Sequence, residues 1–236
     1  MPPTVVCFVR HGTTPTTGKV LPGRARGLHL SEQGLEEAGR VGARLAGLGS
    51  VRGVYASPLE RTRETAKAIG AAVSLPVTVD RGLIECDFGE WTGRELAELS
   101  RLPEWRTVQQ HPSGFRFPGG ESFAEVRARM AATVERLVGS HPGEVVVAVS
   151  HADPIKVVVG DALGQSLDLV QRIVVSPCSV SAVAYSAVAP VVLAVNSTGE
   201  LATLGLQPRA AGHAGSNGRS NGRSNGRGAP AGSGRA

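Results

Sequence analysis

Two uninterrupted apolar runs stand out in the pattern of hydrophobic and polar positions, at residues 4–9 and 144–149. Both are rich in valine and lack the apolar–polar alternation of a half-exposed strand, so they predict strands buried on both faces. Between them, residues 31–48 place Leu35 and further apolar side chains at helical spacing, with Ser31 as the predicted N-cap. The pattern therefore predicts buried strands separated by amphipathic helices.

The chain continues this alternation to about residue 204. Further strands are predicted at residues 54–56, 77–79, 173–175, 180–185 and 191–195. Further helices are predicted at residues 57–72, 94–110 and 122–138, and from after Pro154 to about 163. Pro58 takes the first helical position of the first of these, and Pro103 separates the second into two pieces. This order indicates an α/β fold, a three-layer α/β/α sandwich with a mainly parallel sheet. We expect one domain, residues 1–204, with a helical lid insertion at about 94–117.

The formal net charge of +5 arises from 25 basic and 20 acidic residues and is concentrated at the end of the chain. Residues 205–236 hold five arginines and no acid, so residues 1–204 have 20 basic and 20 acidic residues and no net charge. This segment repeats Ser-Asn-Gly-Arg and has little to bury, which predicts a disordered tail. Such a tail would attract nucleic acid only weakly, so contact with nucleic acid is a less favoured alternative.

Composition also bounds the class of protein and its cellular setting. Hydrophobic residues make up 41% of the chain and the mean hydropathy is −0.01, which excludes a wholly disordered chain and a membrane bundle. The first apolar run is too short for a signal peptide, and no stretch approaches the ~20 apolar residues of a membrane span. Three widely spaced cysteines favour buried thiols in a reducing cytoplasm over disulfides or zinc, with a pocket-lining Cys86 as an alternative.

Two histidines directly follow the two strongest predicted strands. His11 comes after Arg10 and before Gly12 at the end of the first strand, and His151 follows Ser150 at the end of the other. Ligands of open α/β sheets bind outside the carboxyl ends of the strands. A single histidine at a strand end is more often structural, whereas two on separate strands favour a functional site.

Five motifs in this chain resemble those of the histidine phosphatase superfamily, the phosphoglycerate-mutase-like proteins, and occur in that family's order. They are Arg-His-Gly-Thr-Thr at 10–14, Ser-Pro-Leu-Glu-Arg-Thr-Arg-Glu-Thr-Ala at 57–66, Leu-Ile-Glu at 83–85 with Gly-Glu-Trp-Thr-Gly at 89–93, Phe-Pro-Gly-Gly-Glu-Ser at 117–122 and Val-Ser-His at 149–151. The resemblance extends over roughly residues 4–196. It implies a phosphoglycerate-mutase-like fold and phosphoryl transfer through a phosphohistidine intermediate.

The resemblance implies that four residues bind or attack the phosphoryl group. His11 matches the family's nucleophile, which becomes phosphohistidine. Arg10 and Arg61 match two arginines that hold the phosphate, whose edge a planar guanidinium fits in a way that lysine does not. His151 matches the second histidine, which contacts the phosphate. Arg61, rather than Arg63, has the motif spacing, although a solvated helix face is the alternative for its position.

The resemblance also implies a proton carrier. Glu85 matches the family's acid, which protonates the leaving oxygen and then activates water. The alternative for Glu85 is an ordinary loop carboxylate. Asp87 and Glu90 lie close by in the sequence, and only the motif spacing favours Glu85 over them.

Three further positions bear on the substrate. Thr17 stands where the family often has asparagine and is a candidate for binding the phosphate. Asp153 falls in the place of a family glycine after His151, and we expect it to cap the following helix. Orienting His151 and binding a cationic group of the substrate are the alternatives for Asp153. Arg24, together with Arg26, is a candidate for binding a second anionic group.

The segment at residues 94–117 bears on which reaction is catalysed. The family's bisphosphoglycerate-dependent mutases carry a long basic insertion there, whereas this segment is short and its charges are partly balanced. This favours hydrolysis of a small phosphomonoester, with a phosphomutase as the alternative and a non-catalytic binding protein as a less favoured one. The sequence has no GxxxxGK[ST] loop and no metal-ligand cluster, so we expect no cofactor and no metal. The expected partner is a small phosphorylated metabolite rather than a membrane, and the oligomeric state, a homodimer included, stays open.

Overall fold

The computed structural model describes residues 2–199 and Leu201, and these residues form one six-stranded sheet. The strands are β1 (Thr4–Arg10), β2 (Val51–Ala56), β3 (Val77–Val79), β4 (Val145–Ser150), β5 (Val180–Tyr185) and β6 (Val191–Ser197). Their order across the sheet is β3-β2-β4-β1-β5-β6. The first four strands are parallel, and β5 and β6 are antiparallel to their neighbours. The mainly parallel sheet is thus confirmed, while the predicted tail at 205–236 lies outside the described residues.

Helices cover both faces of the sheet. Within the described residues they are α1 (Glu32–Ala46), α2 (Glu60–Val73), α3 (Leu96–Leu99), α4 (Pro103–Gln110), α5 (Phe123–Ser140) and α6 (Ala152–Ala162). Val9 of β1 belongs to the core shared with α1 and α2, whereas Phe8 belongs to the core shared with α5 and α6. Because adjacent strand residues point to opposite faces, β1 lies between two apolar layers. No helix in this part of the chain is both long and apolar enough to cross a membrane.

Local sequence signals set several helix ends. Ser31 caps α1 as predicted, and its side chain accepts a hydrogen bond from the N–H of Gly34. Ser122 and Glu125 form a reciprocal capping box at the start of α5. Pro103 is the first residue of α4 and separates it from α3, also as predicted. These boundaries follow from interactions between residues close in the sequence.

The predicted start of α2 is wrong by two residues. The helix begins at Glu60, with Leu59 as its N-cap, and Pro58 therefore precedes the helix. The hydroxyl of Thr62 donates to the carbonyl oxygens of Ser57 and Leu59 and holds this short non-helical entry. The Ser57 side chain contacts the histidine that follows β4.

Two other predictions of local structure are wrong for tertiary reasons. Residues 173–175 form no strand, and the carbonyl oxygen of Val175 instead accepts a hydrogen bond from the guanidinium of Arg10. Leu35, predicted to join the core face of α1, is 55% exposed. Gly34 takes the inward position there, since a Cβ at Gly34 would lie 2.0 Å from the carbonyl oxygen of a neighbouring loop residue.

Candidate active site

The carboxyl ends of β1 and β4 bring the two strand-end histidines together. The strands are adjacent and parallel, with Arg10 opposite Ser150, so His11 and His151 leave the sheet side by side. Their ring centroids are 5.2 Å apart, and both side chains are buried. The two histidines therefore share one site, as the sequence predicts for parallel strands.

A hydrogen bond to the backbone fixes which ring nitrogen of His11 is unprotonated. Its Nδ1 lies 2.8 Å from the carbonyl oxygen of Gly12. A carbonyl oxygen only accepts hydrogen bonds, so Nδ1 carries the hydrogen and Nε2 is unprotonated. Burial, followed by the charges of Arg61 and Arg10, lowers the pKa of His11 to about 3. The imidazole is therefore neutral and nucleophilic at neutral pH.

Arg61 projects from the first turn of α2 into the site and is fully buried. Its Nε donates to Nε2 of His11 at 3.3 Å, and one Nη donates to the carbonyl oxygen of Gly23 at 2.8 Å. The same Nη contacts Nδ1 of His151 at 3.2 Å. The other nitrogen, Nη1, is buried and has no hydrogen-bond partner among the described residues. A buried guanidinium N–H without a partner is costly, so this nitrogen marks a place where an anion would bind.

Arg10, the residue before His11, supplies a second guanidinium, which is partly buried. Its Nη1 donates to the carbonyl oxygen of Val175 at 2.7 Å, and its Nε is buried without a partner in the described part of the chain. Burial lowers the pKa of Arg10 and of Arg61, but an arginine stays protonated in proteins. The site therefore presents two fixed positive charges beside a neutral histidine.

His151 is oriented by a residue that the sequence analysis did not single out. A guanidinium only donates, so Nδ1 of His151 accepts from Arg61 and Nε2 carries the hydrogen. That Nε2 contacts the hydroxyl oxygen of Ser57 at 2.8 Å. Burial and then the charge of Arg61 hold the pKa of His151 well below its usual range. The Ser57 side chain therefore fixes the ring of a neutral His151.

Glu85 is the carboxyl group of the site, and its proton affinity is unusually high. It is buried, and its Oε2 lies 3.9 Å from Nδ1 of His151. Burial, reinforced by the negative charge of Asp153, raises the pKa of Glu85 to about 7. A carboxyl with this pKa can both donate and accept a proton near neutral pH. Asp87 and Glu90, the alternatives in the sequence, do not line the cavity that contains Glu85.

A cavity lined by Arg10, His11 and Glu85 has a volume of about 710 Å³, and the buried Arg61 and His151 are not among its lining residues. Most of its wall beyond the charged end is apolar, and α3 and α4 contribute to it through residues such as Leu96 and Trp105. Thr17 lies in the wall, where its hydroxyl oxygen accepts a hydrogen bond from the N–H of Thr14 at 2.9 Å. The helices of the 94–117 segment thus form one side of the cavity.

Two expectations for individual residues are not supported by this geometry. Arg24 lies outside the cavity because its guanidinium contacts the carbonyl oxygen of Glu85 and the carboxylates of Asp87 and Glu121. Asp153 does not cap α6, whose N-cap is His151, and instead pairs with Lys156 at 3.1 Å.

Cys86 does not line the cavity either. Its side chain is buried in the apolar core on the α5 and α6 side of the sheet, and burial raises its thiol pKa. Among the described residues, no group of three histidine, cysteine or acidic side chains could hold a metal ion.

Two further residues outside the predicted set support Glu85. Arg129 donates to the carbonyl oxygens of Gly82 and Ile84 at 2.7 and 2.8 Å and to the carboxylate of Glu121 at 3.1 Å. Glu121 in turn accepts from the N–H of Asp87 at 3.1 Å. The Pro-Gly-Gly-Glu-Ser motif contains Glu121, so its position in that motif was the available signal. No local pattern marks Arg129.

Comparison with known proteins identifies the family to which this chain belongs. The sequence profile described as the histidine phosphatase superfamily, branch 1, matches residues 6–198. A bifunctional protein of Mycobacterium tuberculosis is 34% identical over 207 residues, which cover 84% of this chain and 55% of that protein. The chain thus spans about half the length of that relative.

Two other similar proteins cover most of both chains. A probable phosphoglycerate mutase of Erwinia tasmaniensis is 33% identical over 181 residues, covering 75% of this chain and 83% of that protein. A solved structure of a mutant phosphoserine phosphatase of Entamoeba histolytica, in complex with phosphoserine, superposes with a TM-score of 0.75. It is 25% identical and covers 84% of this chain and 99% of that one.

Proposed function

The chain belongs to the histidine phosphatase superfamily, branch 1, and from that premise we propose that it hydrolyses small phosphomonoesters through a phosphohistidine formed at His11. The observation that carries the proposal is the pair of unsatisfied guanidinium nitrogens around this histidine. Nε of Arg10 and Nη1 of Arg61 are buried without partners among the described residues, and the charges of both arginines act on a neutral imidazole. A phosphate would satisfy both donors and place its phosphorus near Nε2 of His11.

In the first step, Nε2 of His11 attacks the phosphorus and the bond from phosphorus to the ester oxygen breaks. The departing alkoxide takes the proton of Glu85, whose pKa of about 7 leaves it partly protonated at neutral pH. Arg10 and Arg61 hold the charge that spreads over the phosphoryl oxygens. The hydrogen bond between Nε2 of His151 and Ser57 holds the His151 ring beside the same phosphoryl oxygens.

In the second step, a water molecule attacks the phosphorus of the phosphohistidine. Glu85, now a carboxylate, takes a proton from this water while the bond from phosphorus to Nε2 breaks. Inorganic phosphate leaves, and His11 and Glu85 return to their starting protonation states. The hydrogen bond from Nδ1 of His11 to Gly12 keeps the same ring nitrogen directed at phosphorus in both steps.

We propose that the substrate is a phosphorylated small molecule with an uncharged or cationic alcohol portion. Apart from Arg10, the only cationic side chain among the described residues of the cavity wall is Lys156, which is paired with Asp153. Beyond Arg10, the described wall of the cavity therefore offers no unpaired cation to a second phosphate or carboxylate of the substrate. This supports hydrolysis over a mutase reaction, which needs a bisphosphorylated species. The resemblance to a probable phosphoglycerate mutase keeps phosphomutase as the second candidate.

We also propose a reducing, cytoplasmic setting for the protein. Its three cysteines, Cys7, Cys86 and Cys178, are all free thiols and all buried. Buried unpaired thiols are typical of proteins from reducing compartments.

The nucleophile is tested by comparing His11→Ala with His111→Ala, which removes an exposed histidine from another part of the chain. We expect His11→Ala to abolish phosphate release from p-nitrophenyl phosphate, and His111→Ala to retain it. Rapid quenching in alkali should trap an acid-labile phosphoryl adduct in the wild type and in His111→Ala only. Turnover by His11→Ala would reject the proposed nucleophile.

The mutase alternative is tested by product analysis. Incubation with 3-phosphoglycerate and a bisphosphoglycerate primer should give no efficient formation of the 2-isomer. Rapid interconversion of the two isomers would replace the phosphatase proposal with the mutase reaction.

A further inference from the structure

A second groove, about 620 Å³ in volume, lies outside the active-site cavity and is lined by five arginines. They are Arg24, Arg26, Arg63, Arg81 and Arg129. They come from the loop after β1, from α2, from the short 3₁₀ helix before Glu85 and from α5. No residue lines both this arginine groove and the active-site cavity.

The arginine groove carries unbalanced positive charge. Arg26, Arg63 and Arg81 are exposed, and none of them forms an ion pair or hydrogen bond through its side chain with another described residue. Two acidic residues also line the groove, and one of these, Glu121, is already paired with both Arg24 and Arg129. A bound anion would offset the positive charge that remains on the groove.

One of the arginines of the groove has a buried nitrogen without a hydrogen-bond partner in the described part of the chain. Nε of Arg129 is buried and has no hydrogen-bond partner among the described residues. Five of the 20 basic residues in the electrically neutral 1–204 segment meet here, although they are spread over about 100 positions of the sequence. The fold therefore concentrates charge that the sequence distributes evenly.

We propose that the arginine groove binds a small anion carrying two or more phosphates, separate from the substrate of the active site. A guanidinium presents two parallel N–H donors that match a phosphate edge, and three such groups are free in the groove. The volume lies within the ~300–1,000 Å³ typical of small-molecule sites. An extended nucleic acid would need a continuous basic surface, whereas this groove is local and the rest of residues 1–204 is not net basic.

Two arginines that line the groove also bind the backbone next to and at Glu85. Nε of Arg24 donates to the carbonyl oxygen of Glu85 at 2.9 Å, and Arg129 donates to that of Ile84 at 2.8 Å. A polyphosphate in the groove would compete for both guanidinium groups and so change the position of Glu85. On the proposed function, occupancy should therefore change kcat, which makes the groove a regulatory site.

The binding test uses calorimetric titration of the full chain with inorganic tripolyphosphate. We expect two binding events in the wild type, one of which is lost in Arg10→Ala because it belongs to the active site. The double variant Arg63→Ala/Arg81→Ala should weaken the other event by about tenfold or more. The control Arg40→Ala/Arg52→Ala removes two exposed arginines outside both cavities and should leave both events unchanged.

Several results would overturn the proposal. A single binding event that disappears in Arg10→Ala would show that the groove takes no tripolyphosphate. Equal affinities of the wild type and of Arg63→Ala/Arg81→Ala for tripolyphosphate would also show that the groove does not bind it. Tighter binding of a single-stranded oligonucleotide than of tripolyphosphate, lost in that double variant, would make the groove a nucleic-acid contact instead.

Turnover provides a separate readout. At saturating p-nitrophenyl phosphate, tripolyphosphate should change the kcat of the wild type and not that of Arg63→Ala/Arg81→Ala. An unchanged wild-type kcat at full occupancy would reject the regulatory role. If the protein turned over no phosphomonoester, the proposed function would fail while the calorimetry would still decide whether the groove binds polyphosphate.

Discussion

The protonation of Glu85 gives a sharp test of the proposed chemistry. The leaving alkoxide of an alkyl phosphomonoester is a poor leaving group unless it is protonated, so its departure requires Glu85 in the acid form. Burial and the charge of Asp153 raise the pKa of this carboxyl to about 7. The rate for an alkyl substrate should then fall about tenfold per pH unit above about pH 7.

The structure sets the size of this effect. An ordinary glutamate with a pKa of 4.5 would be protonated in only about one molecule in 300 at pH 7, whereas Glu85 is protonated in about half. The environment thus raises the population of the acid by about 150-fold, equivalent to about 3 kcal/mol. Glu85→Gln, which cannot release a proton, should lower kcat on ethyl phosphate by roughly 10²–10⁴-fold. The loss on p-nitrophenyl phosphate should be smaller because its leaving group needs little protonation.

The assay is kcat against pH from 5 to 9 for both substrates. Asp153→Asn removes a negative charge that raises the pKa of Glu85, so the alkaline fall should move to lower pH. Glu90→Gln, which changes an exposed acid of the same loop, should reproduce the wild-type profile. The ionisation of the substrate is the same for every variant, so differences between profiles report the protein.

The reasoning would be refuted by wild-type kcat on ethyl phosphate in Glu85→Gln at pH 7. An alkaline limb that stays in place in Asp153→Asn would show that the neighbouring charge does not set the pKa of Glu85. A loss in Glu90→Gln equal to that in Glu85→Gln would point to the wrong carboxyl.

Two further substitutions test the scaffold of the site. Ser57→Ala removes a hydrogen-bond partner of the buried His151. We expect kcat on p-nitrophenyl phosphate to fall about tenfold, equivalent to about 1.4 kcal/mol, with little change in KM. An unchanged kcat would show that Ser57 does not position the His151 ring. Gly34→Ala places a Cβ 2.0 Å from a carbonyl oxygen and should lower the free energy of unfolding by roughly 2 kcal/mol in urea titrations. Gly39→Ala in the same helix meets no atom within 4 Å and should raise it by about 1 kcal/mol, and equal effects of the two would contradict the packing argument.

Much of the fold was predictable because its signals are local. The uninterrupted apolar runs of β1 and β4 require burial on both faces, and this requirement places them at the centre of a parallel sheet. Ser31 and Pro103 mark helix ends through their own backbone and side-chain chemistry. The strand at residues 173–175 was wrongly predicted because its composition resembles a strand, while its carbonyl group binds a distant arginine.

The sequence by itself determined that His11 and His151 stand at the carboxyl ends of two buried strands, since that follows from apolar runs that end at known positions. The tertiary structure alone decided how they are used. The tautomer of His151 depends on Arg61, 90 positions away, and Arg10 is held by a carbonyl group 165 positions away. The tertiary structure also decided that Arg24 supports Glu85 and helps to line the arginine groove. Hydrogen bonds, proton affinities and charge clusters depend on distances between side chains, and only the folded chain fixes those distances.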